Sequence, residues 1–206
     1  MKKILVFVLI LFSIIYIYTL TIDRKIYYLS LSNDNSWFAN NISNYLSNRN
    51  KLEKYIYKFS NSNTRISDYL NMIEDNKEIK YKNKKITFKN ALIKADLITI
   101  SLNMDDLNYY MNSVDNFIEY RNDLFEFLKK VREYSKEDIF LIGIYYKEDS
   151  KNNIERIKKL NYELIDFCNE YKIKYIDIFE NNNYINNKDN LRNKIIEEIE
   201  NTVLIN

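Results

Sequence analysis

The sequence contains no histidine, no proline and only one glycine, Gly143. Without histidine, every mechanism in which an imidazole accepts a proton at neutral pH is excluded, and the serine–histidine–aspartate triad is among them. The one cysteine, Cys168, excludes an intrachain disulfide. Because Cys168 lies in an apolar helical pattern, we interpret it as a small core residue rather than as a reactive thiol.

An excess of charge of one sign is absent as well. The chain has 31 basic and 29 acidic residues, which gives a formal net charge of +2. Two of the basic residues, Lys2 and Lys3, precede a long apolar run, so the remainder of the chain is balanced. A neutral domain without a basic block lacks the electrostatic footprint of a nucleic-acid-binding protein. We therefore expect no nucleic acid among its partners, and no motif indicates a cofactor.

The apolar run covers residues 4–22 and is interrupted only by hydroxyl-bearing side chains. A helix of this length spans about 30 Å, the thickness of a bilayer core. The run has no A-x-A-like cleavage site, which favours an uncleaved transmembrane helix over a signal peptide. Lys2 and Lys3 favour an N-terminus inside the cell. We predict a membrane anchor at residues 1–25 and an extracytoplasmic domain at residues 26–206; a buried core helix is the alternative.

Strand-like and helix-like segments alternate after residue 25. Short apolar or aromatic runs typical of strands occur at Ile26–Leu31, Tyr55–Phe59, Leu97–Leu102, Ile139–Tyr145 and Tyr175–Phe179. Helical apolar spacing occurs at Ser36–Leu46, Thr64–Ile73, Lys89–Ala95, Phe117–Val131, Ile154–Phe167 and Leu191–Val203. The charged residues 74–87 indicate a loop or an exposed hairpin. This alternation predicts an α/β fold with a doubly wound, parallel, five-stranded sheet.

Four segments of the second half follow one another in a familiar order. They are DLITIS at Asp96–Ser101, DIFLIGIYY at Asp138–Tyr146, NYELI at Asn161–Ile165 and YIDIF at Tyr175–Phe179. In wording and spacing they resemble the SGNH, or GDSL-type, hydrolases, a family of lipases and acylhydrolases. The resemblance runs from about Ile26 to Ile199. It implies a flavodoxin-like sheet with the strand order 2-1-3-4-5 and a site at the carboxyl ends of the strands.

The first two catalytic blocks of the family match this chain less well than the scaffold does. The Gly-Asp-Ser block falls on Ser32-Asn33-Asp34, which places Asp34 at the nucleophile position. A shift of two residues is needed to reach Ser36. The glycine of the second block, whose amide helps to hold the oxyanion, corresponds to Asn63. Asparagine is the best ordinary substitute for glycine in a turn.

The third and fifth blocks depart further. The oxyanion-holding asparagine is replaced by Asp105, and the closing Asp-x-x-His falls on Asp189 to Arg192. A guanidinium stays protonated in proteins, so Arg192 cannot act as the base. A carboxylate at Asp105 would oppose the developing oxyanion, where the loss of one donor alone costs about 3–4 kcal/mol. The resemblance therefore implies a degenerate site and a catalytically inactive protein.

Three uses of such a rim remain open. Hard cations prefer carboxylate oxygens, and one hypothesis is a divalent-cation site. Its candidate ligands are Asp34, Asp105, Asp106 and Asp189. The competing interpretation is a set of solvated carboxylates, with Arg192 paired to Asp189 or Asp34. A second hypothesis is an envelope glycan or acyl ligand bound in the old cleft with the help of Trp37, Tyr109 and Tyr110.

The third hypothesis keeps Ser36 as the nucleophile and Asp189 as its base, although an ordinary carboxylate is a poor base for a serine hydroxyl. At the level of function, the sequence favours a binding or assembly role at the cell envelope. The alternative is an esterase that acts on envelope acyl or acetyl esters by a substituted mechanism. A strand order other than 2-1-3-4-5 would indicate an unrelated tethered α/β domain.

Overall fold

The computed structural model describes residues 6–13, 25–32, 37–61, 63–101, 107, 110–111, 113–144, 151–178 and 188–204. Residues 6–13 form helix α1. The remaining helices are α2 (Trp37–Asn48), α3 (Ile66–Glu74), α4 (Phe88–Lys94), α5 (Val114–Tyr134), α6 (Lys151–Glu170) and α7 (Lys188–Ile199), which continues into a π-helical turn at Glu200–Leu204. The strands are β1 (Ile26–Ser32), β2 (Leu52–Ile56), β3 (Glu78–Tyr81), β4 (Lys84–Thr87), β5 (Leu97–Ser101), β6 (Asp138–Ile142) and β7 (Lys174–Ile176).

Five of these strands form one sheet in the order β2-β1-β5-β6-β7, and every neighbouring pair is parallel. Numbered within that sheet, the order is 2-1-3-4-5. The predicted doubly wound, five-stranded parallel sheet is thus confirmed. Strands β3 and β4 form a separate antiparallel hairpin. The hairpin lies in the charged segment 74–87, where a loop or an exposed hairpin was expected.

Helices cover both faces of the sheet. Successive side chains of its strands therefore enter two different cores. In β1, Leu29 and Leu31 join a larger core with side chains of α3, α4, α5 and α6. Tyr28 points to the other face and joins a smaller core with side chains of α2 and α7. This two-sided burial explains why β1, β5 and β6 appear in the sequence as nearly continuous apolar runs.

Helices end here without the glycine that usually terminates them. Asn50, Asn76 and Lys172 adopt left-handed backbone angles, with φ of 55°, 49° and 54°. Each follows a helix, and the next residue donates its N–H back into the last turn, as Lys51 does to Leu46 at 2.8 Å. This is the Schellman arrangement, in which glycine is favoured because it has no Cβ. Asparagine tolerates the left-handed region, whereas lysine pays about 1–2 kcal/mol for it.

The second strand is the clearest correction to the predicted boundaries. It was expected at Tyr55–Phe59, but β2 starts at Leu52 and ends at Ile56. Phe59 has already left the sheet, and its ring packs 4.7 Å from the ring of Phe88. Phe59 therefore extended the strand-like pattern in the sequence although it enters the core from a turn.

Part of the predicted membrane span lies in α1. The seven apolar side chains of residues 6–12 are each 41–66% exposed. The remaining residues of the predicted span 4–22 lie outside the described residues. Within the described ranges, no helix has both the length and the apolarity needed to cross a bilayer.

Candidate functional site

The expected site lies at the carboxyl edge of the sheet, where β1 and β5 end side by side. Ser32 of β1 is in register with Ser101 of β5, and both side chains are buried. The chain segments that carry the first and third family blocks leave the sheet from these two ends. The topology therefore brings the starts of the two segments together, as the rule for open α/β sheets requires. The candidates Asp34, Ser36, Asp105, Asp106 and Tyr109 themselves lie outside the described residues.

The turn after β2 is tied to the end of β1. The backbone N–H of Ser32 donates to Oγ of Ser60 at 3.2 Å. The Ser60 hydroxyl is also 2.6 Å from the hydroxyl of Tyr69, whose ring is fully buried in the larger core. This chain of hydrogen bonds anchors the second family block beside the first, so the turn that contains Asn63 does lie at the expected edge. The hydrogen bond between Ser60 and Tyr69 was not predicted, since a tyrosine on an apolar helical face is typical of a core.

The backbone amide of Asn63 is engaged within its own turn. Its N–H donates to Oδ1 of Asn61 at 2.9 Å, which is an Asx turn. The same turn is closed by the Asn61 N–H, which donates to Oγ1 of Thr64 at 2.9 Å. An oxyanion-hole donor must point at the place where negative charge develops. The amide at the family's glycine position is instead committed to a neighbouring side chain.

Asp189 and Arg192 face each other on the first turn of α7. Nη1 of Arg192 lies 3.1 Å from Oδ1 of Asp189, and the two side chains are 37% and 74% exposed. Nε and Nη2 of Arg192 also donate to Oδ1 of Asn193 at 3.4 and 3.3 Å. Exposed ion pairs of this kind contribute at most about 1 kcal/mol to stability. The pair joins the two residues that the resemblance assigns to the family's aspartate and base positions.

The cation-site hypothesis requires several carboxylates close together. Among the described residues, no three carboxylate or thiol side chains are grouped closely enough to hold a metal ion. Asp189 is the one candidate ligand in that set, and its carboxylate accepts from Arg192. The other three candidate ligands are in segments outside the described ranges.

Tyr110 is not available for stacking on a ligand, which corrects one expectation. It is only 6% exposed, and its ring lies 5.2 Å from the ring of the fully buried Tyr120. The residue belongs to the larger core because Tyr120 and its neighbours on α5 cover it. The backbone of Trp37 opens α2, and its side chain lies outside the described set.

A buried polar network at the end of β6 went unpredicted. Asn161 of α6 is 3% exposed, and its Oδ1 accepts the N–H of Ile144 at 3.1 Å. Its Nδ2 donates to the carbonyls of Ile144 and Ile157 at 3.0 and 3.1 Å. The hydroxyl of Tyr175 donates to the same Oδ1. One amide thus satisfies the backbone where the chain leaves β6 and fixes the carboxyl edge there.

Gly143, the sole glycine, lies beside this network at a position where a side chain would not fit. A Cβ on Gly143 would lie 2.5 Å from the hydroxyl oxygen of Tyr175 and 3.1 Å from the carbonyl oxygen of Ile176. The N–H of Gly143 also donates to that carbonyl at 2.9 Å. A side chain at Gly143 would therefore displace the Tyr175 hydroxyl from Asn161. The signal in the sequence was Asn161 itself, a polar residue on the apolar face of α6 between Ile157 and Leu164.

Cys168 is a core residue, as expected. It is fully buried on α6, and burial raises the pKa of its thiol to about 12. A thiol that stays protonated and covered does not react, because the nucleophile is the thiolate.

We expect a thiol reagent at pH 8 to modify Cys168 at least about 100-fold more slowly in the folded chain than in denaturant. Because the folded pKa is raised, the folded state holds its proton longer than the unfolded state. The contribution of Cys168 to stability is therefore complete below pH 9 and is lost as the pH rises toward 12. Rapid labelling of the native protein at pH 8 would show that this thiol is not buried in the larger core.

The described geometry defines a class of fold, and comparison with solved structures agrees with it. The five-stranded parallel α/β fold is shared with solved esterase and alpha/beta hydrolase structures. One matching structure is the acetylxylan esterase Axe2 from Geobacillus stearothermophilus, with a TM-score of 0.57 and 12% identity over 78% of this chain and 79% of that one. Another is LAE5, an alpha/beta hydrolase from the metagenome of Lake Arreo in Spain, with a TM-score of 0.54 and 10% identity over 78% and 80% of the two chains. No family model and no curated protein matches the sequence.

Proposed function

We propose that the chain is a membrane-anchored, extracytoplasmic SGNH-hydrolase-like protein that has lost ester hydrolysis and serves a binding or assembly role at the cell envelope. The observation that carries this proposal is the ion pair of Asp189 and Arg192 on α7. It lies where the resembling family has an aspartate and a histidine. In the Geobacillus esterase, structures described as catalytic mutants replace a serine or a histidine with alanine. This chain has no histidine with which to fill that role.

The chemistry of the pair explains the loss. A serine hydroxyl attacks an ester only when a neighbouring base removes its proton. The guanidinium of Arg192 is permanently protonated, and the carboxylate that would orient an imidazole accepts from Arg192 instead. The N–H of Asn63 donates to Asn61, so the oxyanion-hole donor, a second element of the family mechanism, is already engaged.

The exposed apolar surface of α1 supports the membrane anchor. Its seven consecutive apolar side chains remain largely uncovered by the rest of the described chain. In soluble proteins, exposed apolar surfaces are small, and larger ones mark an interaction site. Lipid acyl chains are the partner that covers a helix on all sides, and residues 4–22 are long enough to reach across a bilayer core.

A carbohydrate is the ligand class that best fits the groove beside the Asn61–Thr64 turn. A shallow groove runs along α3 beside the Asn61–Thr64 turn. It is lined mainly by amide and carboxylate side chains, namely Asn61, Asn63, Asp68, Asn71 and Asp75. Such groups form the paired donors and acceptors that sugar hydroxyls require. The Axe2 structures are described as acetylxylan or acetyl-xylooligosaccharide esterases, which is a related ligand class on the same fold.

The alternative is an esterase with a substituted mechanism, and the fold shared with esterases favours it. The full-length chain in detergent, assayed with aryl acetates and acetylated xylo-oligosaccharides, separates the two proposals. If the alternative holds, Ser36→Ala, Asp189→Ala or a chelator will remove the turnover. Our proposal expects none of the three to change the rate from the background. A rate that depends on any of them would establish the alternative.

A further inference from the structure

A cluster of lysines gathers around two tyrosine rings at one edge of the domain. The ammonium of Lys54 on β2 lies 4.9 Å from the ring centre of Tyr27 and 5.1 Å from that of Tyr81. Lys82, in the turn of the β3–β4 hairpin, lies 5.6 Å from the same Tyr81 ring. Cation–π contacts hold these ammonium groups in place without neutralising them.

Two further lysines add to this positive charge. Burial is the first cause that lowers the pKa of Lys54, the charges of Lys94 and Lys84 are the next, and the carboxylate of Glu53 acts in the opposite direction. Lys84 and Lys94 are both exposed. Lys84 is the first residue of β4, and Lys94 is the last residue of α4. Across the described part of the chain, none of Lys54, Lys82, Lys84 and Lys94 forms an ion pair. We call these four residues the edge lysines.

The edge lysines lie at the amino-terminal edge of the sheet, opposite the candidate site. Lys54 is in register with Tyr27, the second residue of β1. Lys94 ends α4 just before β5 begins, and Asp96 at that point accepts the N–H of Tyr27 at 2.8 Å. Because all five strands are parallel, β1 enters the sheet at this same edge. The predicted membrane span therefore joins the domain where the edge lysines are.

We propose that the edge lysines form a docking surface for the anionic phospholipid headgroups of the membrane that anchors the chain. This inference rests on the anchor proposed above. Residue 22 ends the predicted span and Ile26 begins β1, so four peptide steps, at most about 14 Å, separate the lipid from the sheet edge. Charges interact with little screening over about 8 Å at physiological ionic strength. The half-buried Tyr81 has the amphipathic side chain typical of membrane interfaces.

The test is amine labelling of the full-length chain in lipid nanodiscs, read residue by residue with mass spectrometry. One set of discs contains phosphatidylcholine, and the other also contains anionic phosphatidylglycerol. A lysine near an anionic membrane surface contributes about 1 kcal/mol to membrane binding, which is about fivefold in the binding constant. We expect Lys82, Lys84 and Lys94 to be labelled about fivefold more slowly in the anionic discs, and high salt to remove the difference. Lys58, exposed beyond the carboxyl end of β2, serves as the internal control.

A charge reversal at the hairpin provides the second arm. In Lys82→Glu/Lys84→Glu, we expect the protection of Lys94 to disappear. The matched double variant Lys58→Glu/Lys159→Glu changes the same net charge at exposed positions elsewhere and should keep it. Equal labelling of the edge lysines in both kinds of disc, with the chain fully incorporated, overturns the docking surface and leaves the anchor standing. Failure of the wild-type chain to enter either disc overturns the anchor itself, and the docking surface with it.

Discussion

The full-length chain with Leu9 and Phe12 both replaced by aspartate is expected to leave the membrane fraction almost completely. These side chains are 59% and 66% exposed on α1, so replacing them removes little packing from the described part of the chain. A charged residue at the centre of a spanning helix costs about 2.5–3.5 kcal/mol. Two such residues shift the partition of the helix by about four orders of magnitude, which flotation with liposomes followed by quantitative blotting would detect.

The matched control exchanges the same positions without adding charge. Leu9→Phe/Phe12→Leu keeps the composition of the helix and should float as the wild type does. If the double aspartate variant floats equally well, α1 is not in the hydrocarbon of the bilayer. If the variant precipitates, its circular dichroism in detergent separates misfolding of the domain from loss of the anchor.

Asn161→Leu is expected to lower the free energy of unfolding by about 3–4 kcal/mol. Leucine has the same branching and the same number of side-chain heavy atoms as asparagine but offers neither a donor nor an acceptor. The N–H and carbonyl of Ile144 and the hydroxyl of Tyr175 would lose a buried partner, and each orphaned group costs about 1–3 kcal/mol. For a chain of this size the midpoint of thermal unfolding should fall by about 10 °C.

Two other variants show whether this loss comes from the network. Tyr175→Phe removes a single hydroxyl and should cost about 1 kcal/mol, since Asn161 keeps its backbone partners. Asn169→Leu places the same substitution at an exposed position of α6 and should stay within about 0.5 kcal/mol of the wild type. Equal effects of Asn161→Leu and Asn169→Leu would mean that the amide contributes nothing beyond the helix that carries it.

The layout of the fold followed from the sequence because it depends on periodicity. Strands buried on both faces give continuous apolar runs, and the helices between them repeat apolar residues every three or four positions. Boundaries failed where an apolar residue enters the core from a turn, as Phe59 does after β2. The alternation of strands and helices predicted the parallel sheet, whereas its strand order came from the resemblance to the SGNH hydrolases.

The site was less accessible from the sequence, because its meaning depends on contacts between distant segments. The pairing of Arg192 with Asp189 was one of two alternatives, beside a pairing with Asp34, and residues three apart on a helix do meet. The commitment of the Asn63 amide to Asn61 was not, because several side chains can close such a turn. The edge lysines were missed for a similar reason. They come from separate elements, and a balanced overall charge conceals their convergence.

The most direct test of the central claim is the rate at which the full-length wild-type chain hydrolyses an activated ester. A complete hydrolase site accelerates such reactions by many orders of magnitude, and even an oxyanion hole without its triad retains about 10³–10⁴-fold over water. With no histidine in the chain and an arginine at the position that the resemblance assigns to the base, we predict a rate within about twofold of the buffer blank. Saturable turnover about 10³-fold above the blank, abolished by Asp189→Ala, would contradict the account.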